Sequence, residues 1–219
     1  MRSLAYIQVA IIASLTLVAC GGPDSDGAAP PTVEVGTLVG VYKGVFPCEN
    51  CPAIDAGLWL RPDGAFFLRQ DHRAAEGADV ERTHSLGRWA WDAGVGELVL
   101  RGRGPERRFR YIDGALRMAV PGLPHVLERD DASPPFTDRV GLEGQYESSV
   151  GVGSVRDCIT GLHLTVHDDT NGRNLRRRHR AVSPANRAAW VRIEAHLVYE
   201  GGETLAVDRL LAIRPGQEC

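Results

Sequence analysis

Residues 54–61 alternate, with Ile54, Ala56, Leu58 and Leu60 set against Asp55, Gly57, Trp59 and Arg61; the pattern stops at Pro62-Asp63-Gly64, and Ala65-Phe66-Phe67-Leu68 follows. A period of two puts one set of side chains on each face of an extended strand, whereas a helix would scatter them around its axis. The Pro-Asp-Gly punctuation between two such runs reads as a hairpin. Similar pieces recur at Gly40–Phe46, Arg88–Trp91, Glu97–Leu100 and Phe109–Ile112, the last joined through Asp113-Gly114 to Ala115–Ala119. Strand-length segments with turn signals every 10–15 residues or so suit a meander closing into a barrel or half-barrel. With 25 Gly and 13 Pro in 219 residues and 43% hydrophobic content, the chain has the make-up of an all-β protein rather than a helix bundle.

The pattern breaks at Asp130-Asp131-Ala132-Ser133-Pro134-Pro135, and a second β-rich stretch follows, with strands expected at Gly144–Ser148, Leu162–Val166, Trp190–Tyr199 and Leu205–Ile213. A short helix is expected within residues 173–189. The chain therefore reads as a first β domain over 37–128, a linker over 129–140 and a second β domain over 141–219.

Upstream of these, Arg2 precedes an apolar run from Leu4 to Val18 that ends Leu17-Val18-Ala19-Cys20. A basic start, a short hydrophobic stretch and a small residue before a cut make a secretory signal over residues 1–19, too short to favour a membrane span. Its last four residues resemble the bacterial lipoprotein signal, which implies acylation of Cys20; the alternative is an ordinary signal peptide with an incidental cysteine. More than one acyl chain is what makes such anchoring stable. Gly21 follows the cysteine, in place of the Asp that retains lipoproteins at the inner membrane, so the resemblance implies the periplasmic face of the outer membrane, with the lipid anchor on Cys20 as the membrane contact. Residues 20–36 are small, polar and rich in Pro and Gly, a flexible tether with a reach of about 20 Å.

With Cys20 assigned to the anchor, Cys48, Cys51, Cys158 and Cys219 remain, an even number in an oxidising compartment. Four cysteines permit three pairings. The close spacing of Cys48 and Cys51 suggests that they act together, which leaves Cys158 and Cys219 as a structural disulfide pinning the C-terminus. Cys48-Glu49-Asn50-Cys51 itself admits several readings. A thioredoxin-like catalyst needs a helix start beside the motif, and here Pro52 and a strand follow. Zinc needs about four ligands, and no second Cys or His pair stands at a suitable spacing. A thiolate pair suits Cu(I), and a plain loop-closing disulfide suits the compartment. Both of the last two remain open.

The surroundings of the pair carry a wider match. Gly40-Val-Tyr42-Lys-Gly44-Val-Phe-Pro47-Cys48-Glu-Asn-Cys51-Pro-Ala-Ile54, then Leu58-Trp-Leu60-Arg-Pro-Asp63-Gly64, then Gly87-Arg-Trp89 resemble the copper-resistance lipoprotein family NlpE over residues 36–125 or so. The resemblance implies an N-terminal barrel related in shape to lipocalins, an OB-like second domain in some members, copper tolerance, envelope-stress sensing and an inner-membrane histidine kinase as partner. Asp157-Cys158-Ile-Thr160-Gly161 and Pro215-Gly-Gln-Glu-Cys219 look like the second part of such lipoproteins.

Other functions find little support. A formal net charge of −3, from 25 Lys+Arg against 28 Asp+Glu, supplies no field for nucleic acid. No G-x-S-x-G, H-E-x-x-H, phosphate loop or dinucleotide fingerprint occurs, so no enzymatic activity and no obligatory cofactor are expected. Only Met1 and Met118 are methionines and the seven His are scattered, which disfavours bulk copper storage. His163 and His167 would stand about 13 Å apart on a strand, too far to share an ion. Asp168–Gly172 reads as a hairpin turn rather than a calcium loop. The run Arg173, Arg176, Arg177, Arg178, Arg180 is a solvated loop or a contact for anionic lipid or an acidic partner. Two further classes remain beside the sensor: a binder of a small apolar ligand, with Trp59, Phe66, Phe67, Trp89 and Trp91 lining the barrel, and a purely structural lipoprotein.

Overall fold

A computed structural model describes residues 33–74, 81–119, 125–149, 151–183 and 187–219. The signal segment and the expected acylation site Cys20 lie outside the described residues. A single helical turn, α1 (Val35–Leu38), leads into eight strands: β1 (Gly40–Phe46), β2 (Ile54–Leu60), β3 (Ala65–His72), β4 (Glu81–Asp92), β5 (Glu97–Gly102), β6 (Arg107–Ile112), β7 (Ala115–Met118) and β8 (Val126–Arg129). They pair in chain order, and the sheet closes where β1 meets β8, Tyr42 opposite Arg129 and Lys43 opposite Glu128.

The turns follow from their residues. Asp113 and Gly114, both at positive φ (52° and 83°), make the two-residue link between β6 and β7 that matches the twist of the flanking strands. Gly64 at φ 80° turns β2 into β3, with the Arg61 N–H donating to Ala65 O at 2.9 Å. At Gly44 a Cβ would lie 2.0 Å from the Val126 carbonyl oxygen, so the strand crossing that closes the barrel requires glycine there.

Alternation sorts side chains to the two faces of the barrel wall. Tyr42, Leu58, Leu60, Phe66, Leu68, Trp89, Leu98, Leu100, Phe109, Leu116 and Leu127 form one buried cluster inside the barrel, joined by Leu38 from α1 and by Val33. The last residues of the expected tether thus belong to the fold, and the Tyr42 hydroxyl donates to Leu38 O at 2.9 Å. Trp59 and Phe67, expected to line the interior, belong instead to a second cluster on the outside of the wall, with Ala65 and Leu86. Of the five aromatics, Phe66 and Trp89 are interior and Trp91 packs against that core.

The second sheet comprises β9 (Val140–Ser149), β10 (Val152–Asp157), β11 (His163–Thr165), β12 (Ala189–Val198) and β13 (Thr204–Pro215), in the order β11-β10-β9-β12-β13. A parallel bridge from Val166 to Leu205 brings its two edges together, and α2 (Thr170–Val182) falls between the third and fourth strands. That is the five-stranded, partly open topology of the OB fold. The stretch Asp168–Gly172, expected as a hairpin turn, is a helix start: the Asp169 carboxylate caps α2 by accepting from the Gly172 N–H at 2.7 Å. The arginine run accordingly lies on this helix rather than in a loop, with His179 and Leu175 turned inward.

The wall and the second sheet share one core. Trp59, Phe67 and Leu86 pack with Leu142, Tyr146, Ile193 and Leu197, and Phe136 from the connecting segment joins them. Arg61 clamps the contact: its guanidinium donates to Glu203 at 2.6 and 2.9 Å and also pairs with Asp63. Arg88 adds a bond to the Thr160 carbonyl at 3.1 Å. Burial pushes the Asp63 carboxyl up, but the Arg61 guanidinium and the Ala65 N–H outweigh it and hold the group below the usual carboxylate range.

Candidate functional site at the barrel mouth

β1 ends at Phe46, and the loop Pro47–Ala53 links it to β2, which starts at Ile54, at one end of the barrel. Cys48 and Cys51 are half-buried in that loop and bonded to each other, their Cα atoms 5.2 Å apart. The loop is fastened on its far side where the Arg73 N–H donates to Ala53 O at 2.8 Å. Antiparallel register then puts Ile54 opposite His72, the last residue of β3. Phe66 and Leu68 face the interior, so Gln70 and His72 share that face.

His72 is the residue that sequence reasoning missed. Its Nδ1 lies 3.9 Å from the Cys51 Sγ, and one donor atom from each of Cys48, Cys51 and His72 falls within 4.8 Å of the others. Twenty-one positions separate His72 from Cys51, and only the β2–β3 register brings them together.

The rest of the mouth is chemically mixed. His125 stacks on Phe46 with ring centroids 4.6 Å apart, and its Nδ1 lies 3.2 Å from the Met118 Sδ. Burial pushes the His125 imidazole below its usual range, favouring the neutral ring. Arg107 donates to Gln70 Oε1 at 3.3 Å, and burial lowers its guanidinium somewhat. On the outer side Arg73 grips Asp55 at 2.9 and 2.7 Å and holds that carboxyl below its usual range.

The second disulfide sits at the opposite extreme of chain separation. Cys158 and Cys219, 61 positions apart, are joined with their Cα atoms 5.3 Å apart. Cys158 follows Asp157, whose Oδ2 accepts from the Ile159 and Thr160 N–H groups and the Thr160 hydroxyl at 2.7–3.1 Å. The bridge thus ties the last residue of the chain to a tightly bonded turn. His163 and His167 are not brought into a ligand cluster; His167 Nδ1 instead lies 3.3 Å from the Thr204 hydroxyl.

A closed eight-stranded barrel with a Cys-x-x-Cys loop and a histidine at one end, backed by an OB-type sheet, defines a two-part β protein with these donor groups gathered at that end. Residues 42–120 match the family model described as the NlpE N-terminal domain. Over 229 aligned residues, 96% of this chain and 94% of the relative, the chain is 27% identical to Lipoprotein NlpE of Escherichia coli (strain K12). The crystal structure of the Cpx pathway activator NlpE from Escherichia coli is 26% identical, with 82% of this chain and 97% of that one covered and a TM-score of 0.39. The similarity to NlpE thus runs over most of the chain, with the family-model match confined to residues 42–120.

Proposed function

We propose that this chain is a non-enzymatic lipoprotein, anchored through Cys20 to the periplasmic face of the outer membrane, that reports envelope stress and supports copper tolerance through the state of Cys48 and Cys51. The observation that carries the reading is the joint one: a match to the NlpE N-terminal domain, with the cysteine pair half-buried in the β1–β2 loop at one end of the barrel. The relative described as a Cpx pathway activator supports a signalling role; in this reading the partner is an inner-membrane histidine kinase. The filled barrel interior makes the apolar-ligand reading the weaker alternative.

The test is cellular. The full chain is produced in a bacterium that lacks its own NlpE-type protein and carries an envelope-stress reporter, alongside Cys20→Ala and the double variant Cys48→Ser/Cys51→Ser. Wild type should raise the reporter and improve survival in copper; Cys20→Ala should leave the outer-membrane fraction; the double variant should stay in that fraction and lose the response to copper. Wild-type chain that alters neither the reporter nor copper survival contradicts the proposal, and a double variant indistinguishable from wild type reduces the motif to a loop clip.

A further inference from the structure

As a hydrogen bond the contact between His72 and the cysteine loop is weak. A disulfide sulfur carries no proton to donate, so only the Nδ1–H tautomer of His72 bridges the 3.9 Å to the Cys51 Sγ, as a long N–H to sulfur contact. The loop is already fastened to β3 through the Arg73 to Ala53 backbone bond. What the spacing does match is coordination.

We infer that in the reduced protein His72 completes a three-coordinate site with Cys48 and Cys51, two sulfurs and one nitrogen, that takes a soft monovalent cation of the Cu(I) class. The inference rests on the proposed responsiveness of the cysteine pair and adds its third ligand and its gate. With metal–sulfur bonds of about 2.3 Å and metal–nitrogen bonds of about 2.0 Å, a trigonal angle puts sulfur and nitrogen about 3.7 Å apart. The observed 3.9 Å is already close to that. The same angle requires the two sulfurs to be about 4 Å apart, against about 2.0 Å in any disulfide. Cation and disulfide therefore exclude each other. His72 ends a paired strand and Ile54 faces it across the ladder, so the barrel fixes the backbone from which the imidazole reaches the loop.

The chemistry balances with a dithiol donor. Its two sulfurs become a disulfide, and two electrons and two protons pass to Cys48 and Cys51. A Cu(I) ion then displaces the two thiol protons to solvent and binds both thiolates, with the imidazole entering as a neutral ligand. Thiolate sulfur with imidazole nitrogen is a donor set suited to copper, and three protein donors fall one short of the four that a closed structural zinc site requires.

The measurement uses the full chain in detergent, reduced with dithiothreitol and desalted under nitrogen, then titrated with Cu(I) against a chromophoric Cu(I) chelator. Wild type should bind one equivalent, and copper-edge X-ray absorption should show two sulfurs and one nitrogen around the metal. His72→Gln should weaken binding by roughly tenfold or more, since even residues that only support a ligand cost that much when lost. It should also leave two sulfurs and no nitrogen. The wild-type spectrum stands alone if the variant fails to fold. The oxidised chain should take up no copper at this site. A wild-type spectrum without nitrogen, or a His72→Gln variant with unchanged affinity and spectrum, overturns the role of His72 while leaving the cysteine pair as ligands. Undiminished binding by Cys48→Ser/Cys51→Ser overturns the pair itself and assigns the copper to the neighbouring Met118 and His125.

Discussion

The two disulfides of this chain differ less in exposure than in what each one holds. Cys219 is exposed and Cys158, Cys48 and Cys51 are half-buried, so a small reductant meets neither pair behind a wall. The Cys158–Cys219 bridge spans 61 positions and fastens the end of β13 to the turn after β10, whereas the Cys48–Cys51 bridge spans three and closes a loop whose two ends are already paired in β1 and β2. In the chain-entropy picture the long closure contributes about 4 kcal/mol and the short one about 2 kcal/mol. On this arithmetic the barrel-mouth bond is the one whose opening should cost the fold less. Exposure alone does not separate the two bonds; loop length does.

The largest expected effect tests the staple. Cys158→Ser or Cys219→Ser should lower the stability of the second sheet by about 4 kcal/mol in urea unfolding, with little change at the mouth. If either substitution instead alters copper binding at Cys48 and Cys51, the two corners are coupled and the contrast breaks down. Next comes Gly44→Ala, which drives a Cβ against the Val126 carbonyl where β1 meets β8. Opening or straining that closure should cost about 3 kcal/mol and loosen the wall beside the cysteine loop, seen as faster amide exchange in β1 and β8. A wild-type exchange pattern would mean that the closure tolerates a side chain.

Cys48→Ser/Cys51→Ser should cost no more than about 2 kcal/mol and leave the barrel folded, which separates its effect on signalling from an effect on folding. The smallest effect is acidic. Asp63 titrates below its usual range because Arg61 holds its ionised form, so its contribution is complete above the ordinary carboxylate pKa of about 4 and is lost as pH falls through the lower, folded value. With the carboxylate about a third exposed, that contribution is no more than about 1 kcal/mol. Comparing wild type with Asp63→Asn in urea at pH 6 and pH 3 should show the difference shrinking at the lower pH; a constant difference would detach Asp63 from the clamp.

Much of the barrel was legible because its strands carry local signals. Gly40–Phe46 appears with the expected ends, and the turns at 62–64 and 113–114 fall where Gly and Asp permit positive φ. The strands that passed unnoticed, Val126–Arg129 and Val152–Asp157, are short or interrupted by polar residues and glycine, and they exist because partners already in place pair with them. Trp59 and Phe67 show the limit of alternation: it assigns two faces without saying which faces the barrel interior, and here the outer one is also buried, against the second sheet. The cysteine loop was evident from spacing and flanking prolines. His72 was not, because a histidine at a strand end has no signature until the β2–β3 register sets it opposite Ile54.

The contrast between staple and switch is tested most directly by equilibrating the full chain across a series of glutathione redox buffers, alkylating free thiols and mapping the peptides by mass spectrometry. Cys48 and Cys51 should become alkylated together in buffers where Cys158 and Cys219 are still recovered as one linked peptide, because the short ring loses less on opening. Simultaneous opening of both pairs, or earlier opening of Cys158–Cys219, would contradict the assignment of the barrel mouth as the responsive site.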